Sequence, residues 1–138
     1  MKRFIFVVIA AFLAIHSQIS AETGELKMTG VALDSKVPSL SALGIDGSKQ
    51  NLKALSGEKG AILIFYRSAD WCPYCKRHLI EFNKWTSKFS QSGYNLVGVS
   101  YDSTEVLKEF TEEEKLSFPL ISDQNSQTMK DFDVLNTD

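Results

Sequence analysis

Ala61-Ile62-Leu63-Ile64-Phe65-Tyr66 is an uninterrupted apolar run set between the polar loop Ser56–Gly60 and the polar stretch Arg67–Asp70. Such a run predicts a strand buried on both faces, as at the centre of a parallel sheet. The period then changes. Cys75, Leu79, Phe82, Trp85 or Thr86, and Phe89 recur at helical spacing, which predicts one long helix that Gly93 ends. Tyr94–Tyr101 reads as a second buried strand. Asp102 follows as the expected N-cap of a second helix, with Glu105 at capping-box spacing and Val106, Leu107 and Phe110 on the inner face. Phe118–Ile121 predicts a short strand, and Ser126–Phe132 one or two further helical turns.

Upstream, Asp46-Gly47 is a strong turn signal. Leu40, Leu43 and Ile45 precede it, and Leu52 and Leu55 follow, so a β-hairpin at a sheet edge is expected, with Pro38 near its start. Strand and helix alternating at short spacing point to an α/β sheet with right-handed crossovers.

The N-terminus has a different pattern. Lys2 and Arg3 precede the uncharged apolar run Phe4–Ile15, and Ile19-Ser20-Ala21 offers a cleavage site before Glu22. Twelve helical residues cover roughly 18 Å, short of a ~30 Å hydrocarbon core. Residues 1–21 are therefore expected to be a signal peptide of an exported, periplasmic or secreted protein. An uncleaved membrane anchor is the alternative. Residues 22–29 read as a flexible lead-in, and 30–138 as one domain. Removal of the signal leaves His78 as the only histidine.

Composition narrows the classes. At 138 residues, 43% apolar and 23% charged, the chain suits one domain with a core and not a disordered segment. Lys and Arg number 15 against 17 Asp and Glu, and no basic stretch carries interleaved aromatics, so a nucleic-acid partner is not expected. No nucleotide, flavin or metal motif is visible, so no cofactor is expected.

Chemistry concentrates in Cys72-Pro73-Tyr74-Cys75, placed at a strand-to-helix turn. Pro73 suits the first helical position, where a missing N–H costs nothing. Cys72 then falls at the N-cap, where its sulfur can accept the N–H of Tyr74 or Cys75 and the helix dipole favours a thiolate. Cysteines so placed titrate anywhere from ~3.5 to ~7.5. Lys76 and Arg77, one turn on, add positive potential. Cys75, on the apolar stripe, is expected to be the less exposed of the two. The expected cycle has Cys72 as attacking nucleophile and Cys75 as resolving thiol. A disulfide that serves only as a staple, a zinc site and unpaired core cysteines compete with this reading. A staple closing so short a loop constrains little of the unfolded chain, and zinc needs about four ligands. Lys76 excludes covalent haem, which requires histidine there. Trp71 and Tyr74 are candidates for an apolar rim around the sulfur, with core packing the alternative for Trp71. Arg67 is read either as a steering charge or as an ordinary loop residue, and His78 either as a base for Cys75 or as a surface side chain. Glu112-Glu113-Glu114 reads as a solvated helix face.

At these residues the sequence resembles the thioredoxin-fold redoxins, and most of all the alkyl hydroperoxide reductase/thiol-specific antioxidant (peroxiredoxin-like) branch. The resemblance runs from about Gly30 to Leu135. It is carried by Ile64–Cys75, by Val97-Gly98-Val99-Ser100-Tyr101-Asp102 and by Phe118-Pro119-Leu120-Ile121-Ser122-Asp123. It implies a thioredoxin-like α/β fold and thiol-dependent oxidoreductase activity. The implied partners are a thiol or disulfide protein, a low-molecular-weight thiol, or a hydroperoxide substrate. Peroxiredoxins usually carry Pro and Thr (or Ser) seven and three residues before the attacking cysteine. This chain has Phe65 and Ala69 before Cys72, and Ser68 and Cys72 before Cys75. The Cys72/Cys75 spacing is instead similar to that of thiol–disulfide oxidoreductases. Thioredoxin folds also finish with a cis-Pro, two antiparallel strands and a helix. The sequence stops before them, so the domain at 30–138 is expected to be C-terminally incomplete.

Overall fold

The computed structural model describes residues 29–136. The expected signal peptide at 1–21 lies outside them, as does all but the last residue of the lead-in at 22–29. The described elements, in chain order, are β1 (Leu43–Gly44), α1 (Leu52–Leu55), β2 (Gly60–Phe65), α2 (Pro73–Asn83), α3 (Thr86–Gln91), β3 (Tyr94–Ser100), α4 (Thr104–Glu113), β4 (Leu120–Ser122) and α5 (Gln127–Asp131). No helix among these residues is long and apolar enough to cross a membrane.

The strands form one sheet in the order β1-β4-β3-β2. β3 runs parallel to both neighbours, and β1 is antiparallel to β4. Alternate side chains leave opposite faces of a strand, and each face has its own apolar cluster. Leu96 and Leu120 meet Leu79 of α2 and Leu107 and Phe110 of α4 on one face. Val97, Val99 and Ile121 meet Ala42 and Leu55 on the other.

Four expectations need correction. The run at 61–66 does pack on both faces, with Ile62 and Ile64 on one cluster and Ala61, Leu63 and Phe65 on the other. Yet β2 is only half-buried throughout, whereas β3, flanked by β4 and β2, is the buried strand among those described. Apolar continuity reports covered faces and says nothing about which strands lie alongside.

The hairpin around Asp46-Gly47 reduces to one bridge between Leu43 and Lys49. β1 takes its ladder from β4, and the second arm is helical. The Asn51 side chain accepts the Ala54 N–H at 2.9 Å and starts α1. Leu52 and Leu55, three apart, suit that turn better than an alternating strand.

The single helix after Cys72 is two. The N–H groups of Lys84 and Trp85 donate to the carbonyls three residues back, Glu81 and Phe82, which tightens the chain between α2 and α3. Asn83 is tied across to the segment after α4. Its Oδ1 accepts Ser117 N–H at 2.8 Å, and its amide donates to the Lys115 carbonyl. Gly93, at φ +90°, does close α3.

Asp102 does not cap α4. Ser103 does, accepting the Val106 N–H. Asp102 is buried and engaged elsewhere.

Candidate active site

Beyond β2 the chain leaves the sheet at Tyr66 and reaches the N-terminus of α2 within a few residues. Cys72 is the N-cap in extended conformation, Pro73 occupies the first turn, and the Cys75 N–H donates to Cys72 Sγ at 3.3 Å. The two cysteines form a disulfide, with their Cα atoms 5.3 Å apart. The capping geometry read from the sequence is present.

The burial order is the reverse of the expected one. Cys72 is 0% exposed, whereas Cys75 is only half-buried. The helical stripe located Cys75 on the side toward the core. Cys72 sits one turn earlier, and it is enclosed by a loop that a helix pattern cannot describe.

Arg67 belongs to that loop. Its Nη2 donates toward Cys72 Sγ at 3.6 Å, and its guanidinium lies over the Trp71 ring at 5.0 Å. The expected contributors of positive potential face elsewhere. Lys76 reaches the Asp70 carbonyl and the Phe110 ring, and Arg77 stacks on Tyr74. Trp71 and Tyr74 are 52% and 65% exposed, so neither is core, and each carries an arginine across its ring. His78 is exposed on α2 beside Glu81, Phe82 and Trp85. Glu112, Glu113 and Glu114 are exposed, as a solvated face requires.

A group that sequence reasoning missed fixes this loop from beneath. Asp102 accepts Ser68 Oγ–H at 2.7 Å, Ala69 N–H at 2.7 Å and Ser100 Oγ–H at 2.8 Å. Ser68 Oγ in turn accepts the N–H of Asp70 at 2.9 Å. The Ser122 hydroxyl donates to the Asp102 carbonyl at 2.6 Å. Residues at the ends of β2, β3 and β4 are thus joined under the turn that carries Cys72. Polar side chains ending successive apolar runs were the available signal. Tyr66, beside this group, is largely buried, and its hydroxyl has no hydrogen-bond partner. Burial pushes its pKa up, outweighing the opposing pull of nearby Ser100, and the Asp102 carboxylate adds to the rise. An open cleft of about 350 Å³ borders Arg67, lined by Phe65, Tyr66, Tyr101, Met129 and Val134 among others. Among the described residues, no group of three His, Cys, Asp or Glu side chains is placed to hold a metal.

A mixed sheet with a Cys-Pro-Tyr-Cys disulfide at the N-terminus of its first long helix defines a thioredoxin-like fold with a dithiol centre. Within that class the chain belongs to the AhpC/TSA family, whose model matches residues 33–138. It is 34% identical over 82 residues to the chloroplastic peroxiredoxin Q of Sedum lineare, covering 59% of this chain and 44% of that one. It is 31% identical over 115 residues to alkyl hydroperoxide reductase C of Helicobacter pylori, covering 78% of this chain and 58% of that one. Among solved structures, peroxiredoxin Q of Xanthomonas campestris superposes with a TM-score of 0.63 at 29% identity, over 70% of this chain and 60% of that one. The chain therefore spans less than two thirds of each of these relatives.

Proposed function

We propose that this protein is a thiol-dependent oxidoreductase that moves electrons through Cys72 and Cys75 by thiol–disulfide exchange. The observation that carries the reading is the disulfide at the N-cap of α2, where Cys72 Sγ already accepts a backbone N–H. In the reduced protein that N–H and the helix dipole favour a thiolate at Cys72. The thiolate attacks one sulfur of a substrate disulfide, the other sulfur leaves as a thiolate, and a mixed disulfide forms between Cys72 and the attacked sulfur. The Cys75 sulfur, after losing its proton, attacks Cys72 Sγ, releases the second substrate thiol and closes the internal disulfide. Two electrons pass to the substrate. A thiol or dithiol partner returns them.

Family membership favours a second reading, a thiol peroxidase. Cys72 would then take the terminal oxygen of a hydroperoxide as sulfenic acid and release an alcohol, and Cys75 would close the disulfide with loss of water. The hydroxyl usual three residues before the cysteine is absent, because Ala69 stands there with its side chain in the core. Adjacent Ser68 is already engaged with Asp102 and two backbone N–H groups. This is why exchange is placed first. Action outside the cytoplasm is part of the proposal and rests on the Lys2–Ala21 pattern alone.

The test compares second-order rates of oxidation of the reduced protein by hydrogen peroxide and by a protein disulfide, read by Trp71 fluorescence. A faster disulfide reaction supports exchange. Peroxide faster by orders of magnitude makes the protein a peroxidase. Rates no better than those of free cysteine in both would leave the disulfide as a staple and overturn either reading.

A further inference from the structure

A fully buried cysteine is a poor place for a thiolate. Burial in low dielectric disfavours the charged form and raises a thiol's pKa. Cys72 is 0% exposed, so the environment that encloses it works against the nucleophile that the reaction requires. The N-cap bond from Cys75 N–H offsets part of that cost and is a neutral donor. An anion shut away from water is kept when a charged donor reaches it.

The charged groups around the sulfur can be followed element by element. On α2, Lys76 is directed to the Asp70 carbonyl and the Phe110 ring, and Arg77 to Tyr74. His78 lies exposed beside Glu81 and Trp85. Asp70 is exposed in the loop, and Asp102 underneath it is engaged with Ser68, Ala69 and Ser100. Arg67 lies in the loop just beyond β2, with Nη2 at 3.6 Å from Cys72 Sγ. Its guanidinium lies over the Trp71 ring, 5.0 Å from the ring centroid, which restricts a side chain that would otherwise range freely in solvent.

We propose that Arg67, stacked on Trp71, is the counter-cation that keeps reduced Cys72 a thiolate. Trp71 is the positioning residue that keeps the guanidinium over the sulfur. The claim deepens the dithiol reading, because it names the group that makes one of the two sulfurs the nucleophile. It differs from an ordinary N-cap cysteine in a definite way. Without Arg67, the N-cap N–H and the helix dipole alone would oppose burial, so Cys72 should hold its thiolate less well than in the parent.

The test is a pH titration of thiolate absorbance near 240 nm. It uses the reduced full-length protein in a Cys75→Ser background, so that the signal belongs to Cys72 alone. Arg67→Gln keeps the length and planar amide of the side chain and removes the charge. It is expected to raise the midpoint by about one pH unit or more, roughly a tenfold loss of thiolate near neutral pH. Arg67→Lys should lie between parent and Gln, and Trp71→Leu should move in the same direction by less. A purely structural Arg67 would lower the melting temperature and leave the midpoint where it was. A midpoint unchanged within about 0.2 units in Arg67→Gln, with a native circular dichroism spectrum, overturns the proposal. Should Arg67→Gln not fold, Arg67→Met, which also removes the charge, is decisive: a raised midpoint supports the role and an unchanged one overturns it. The readout needs no substrate. A protein inactive toward peroxide and disulfide could still show the shift, and an active one could lack it, so the two proposals fail separately.

Discussion

Asp102, at the end of β3, and Asp46, in the turn after β1, each accept a serine hydroxyl and a backbone N–H. Asp102 takes Ser68 Oγ–H and Ala69 N–H, both at 2.7 Å, and a further hydroxyl from Ser100. Asp46 takes Ser48 N–H at 3.0 Å and Ser48 Oγ–H at 2.6 Å. The difference lies in solvent and in reach. Asp46 is exposed and its donors come from two residues away, so water can replace each bond on loss of the carboxylate. Asp102 is 8% exposed and its donor Ser68 comes from 34 residues away in the chain. Similar hydrogen bonds are worth little at the rim and much beneath the redox turn, because an unmade bond is costly only where water cannot enter.

The largest test of this contrast is Asp102→Ala. It strands the Ser68 and Ser100 hydroxyls and the Ala69 N–H in the interior, and a loss of about 3 kcal/mol or more in urea unfolding is expected. Asp46→Ala should leave the urea midpoint close to that of the parent. Equal losses would break the comparison.

A second pair carries the contrast to the backbone. Gly98, in the middle of β3, faces Leu120 and Tyr66, and an added Cβ would lie 2.5 Å from Leu120 Cδ2 and 3.2 Å from Tyr66 Cε1. Gly98→Ala should cost about 1–3 kcal/mol through overpacking. Gly47 has open space around it but a φ of +77°, so Gly47→Ala should lose about 1 kcal/mol from backbone strain alone.

Tyr66→Phe sharpens the interior side further. The hydroxyl has no partner to lose, so the variant should equal the parent or exceed it by up to about 1 kcal/mol at pH 7. The phenol's pKa is raised in the folded protein by burial. Its contribution is therefore fully present below the ordinary tyrosine value of 10.0 and is lost as pH rises beyond it. Melting curves above pH 10 should fall for the parent and flatten for Tyr66→Phe; parallel curves would contradict the assignment.

The smallest effect is expected from Asp46→Asn. The Ser48 bonds hold the Asp46 pKa below its ordinary value of 3.8. That contribution is present above 3.8 and fades as pH falls through the lower folded value. Thermal melts between pH 5 and pH 2 should show a slightly shallower acid dependence in the variant and otherwise coincide with the parent.

Much of the site was legible because its decisive bond is local. Cys72 and Cys75 are three residues apart, Pro73 lies between them, and an N-cap bond spans that distance whatever the rest of the chain does. Strand and helix order could be read for the same reason, since period 2 and period 3.6 are properties of short windows. Expectations failed where a position depends on distant chain. The spacing of Leu52 and Leu55 after the Asp46-Gly47 turn suits a hairpin, yet Asn51 starts a helix there, and Asp102 stands at a capping position, yet Ser103 beside it supplies the bond.

The sequence by itself determined the alternation of elements, the dithiol at a helix start and membership of a redox family. The tertiary structure alone decided that β3 is buried where β2 is half-buried, that Cys72 and not Cys75 is the enclosed sulfur, that Arg67 is the cation at that sulfur, and that Asp102 ties the loop to the sheet. The physical reason is common to all four. Exclusion of water, and the meeting of Ser68 with Asp102, follow from strand register and packing of segments far apart in the chain, and no local pattern records which segments will close over one another.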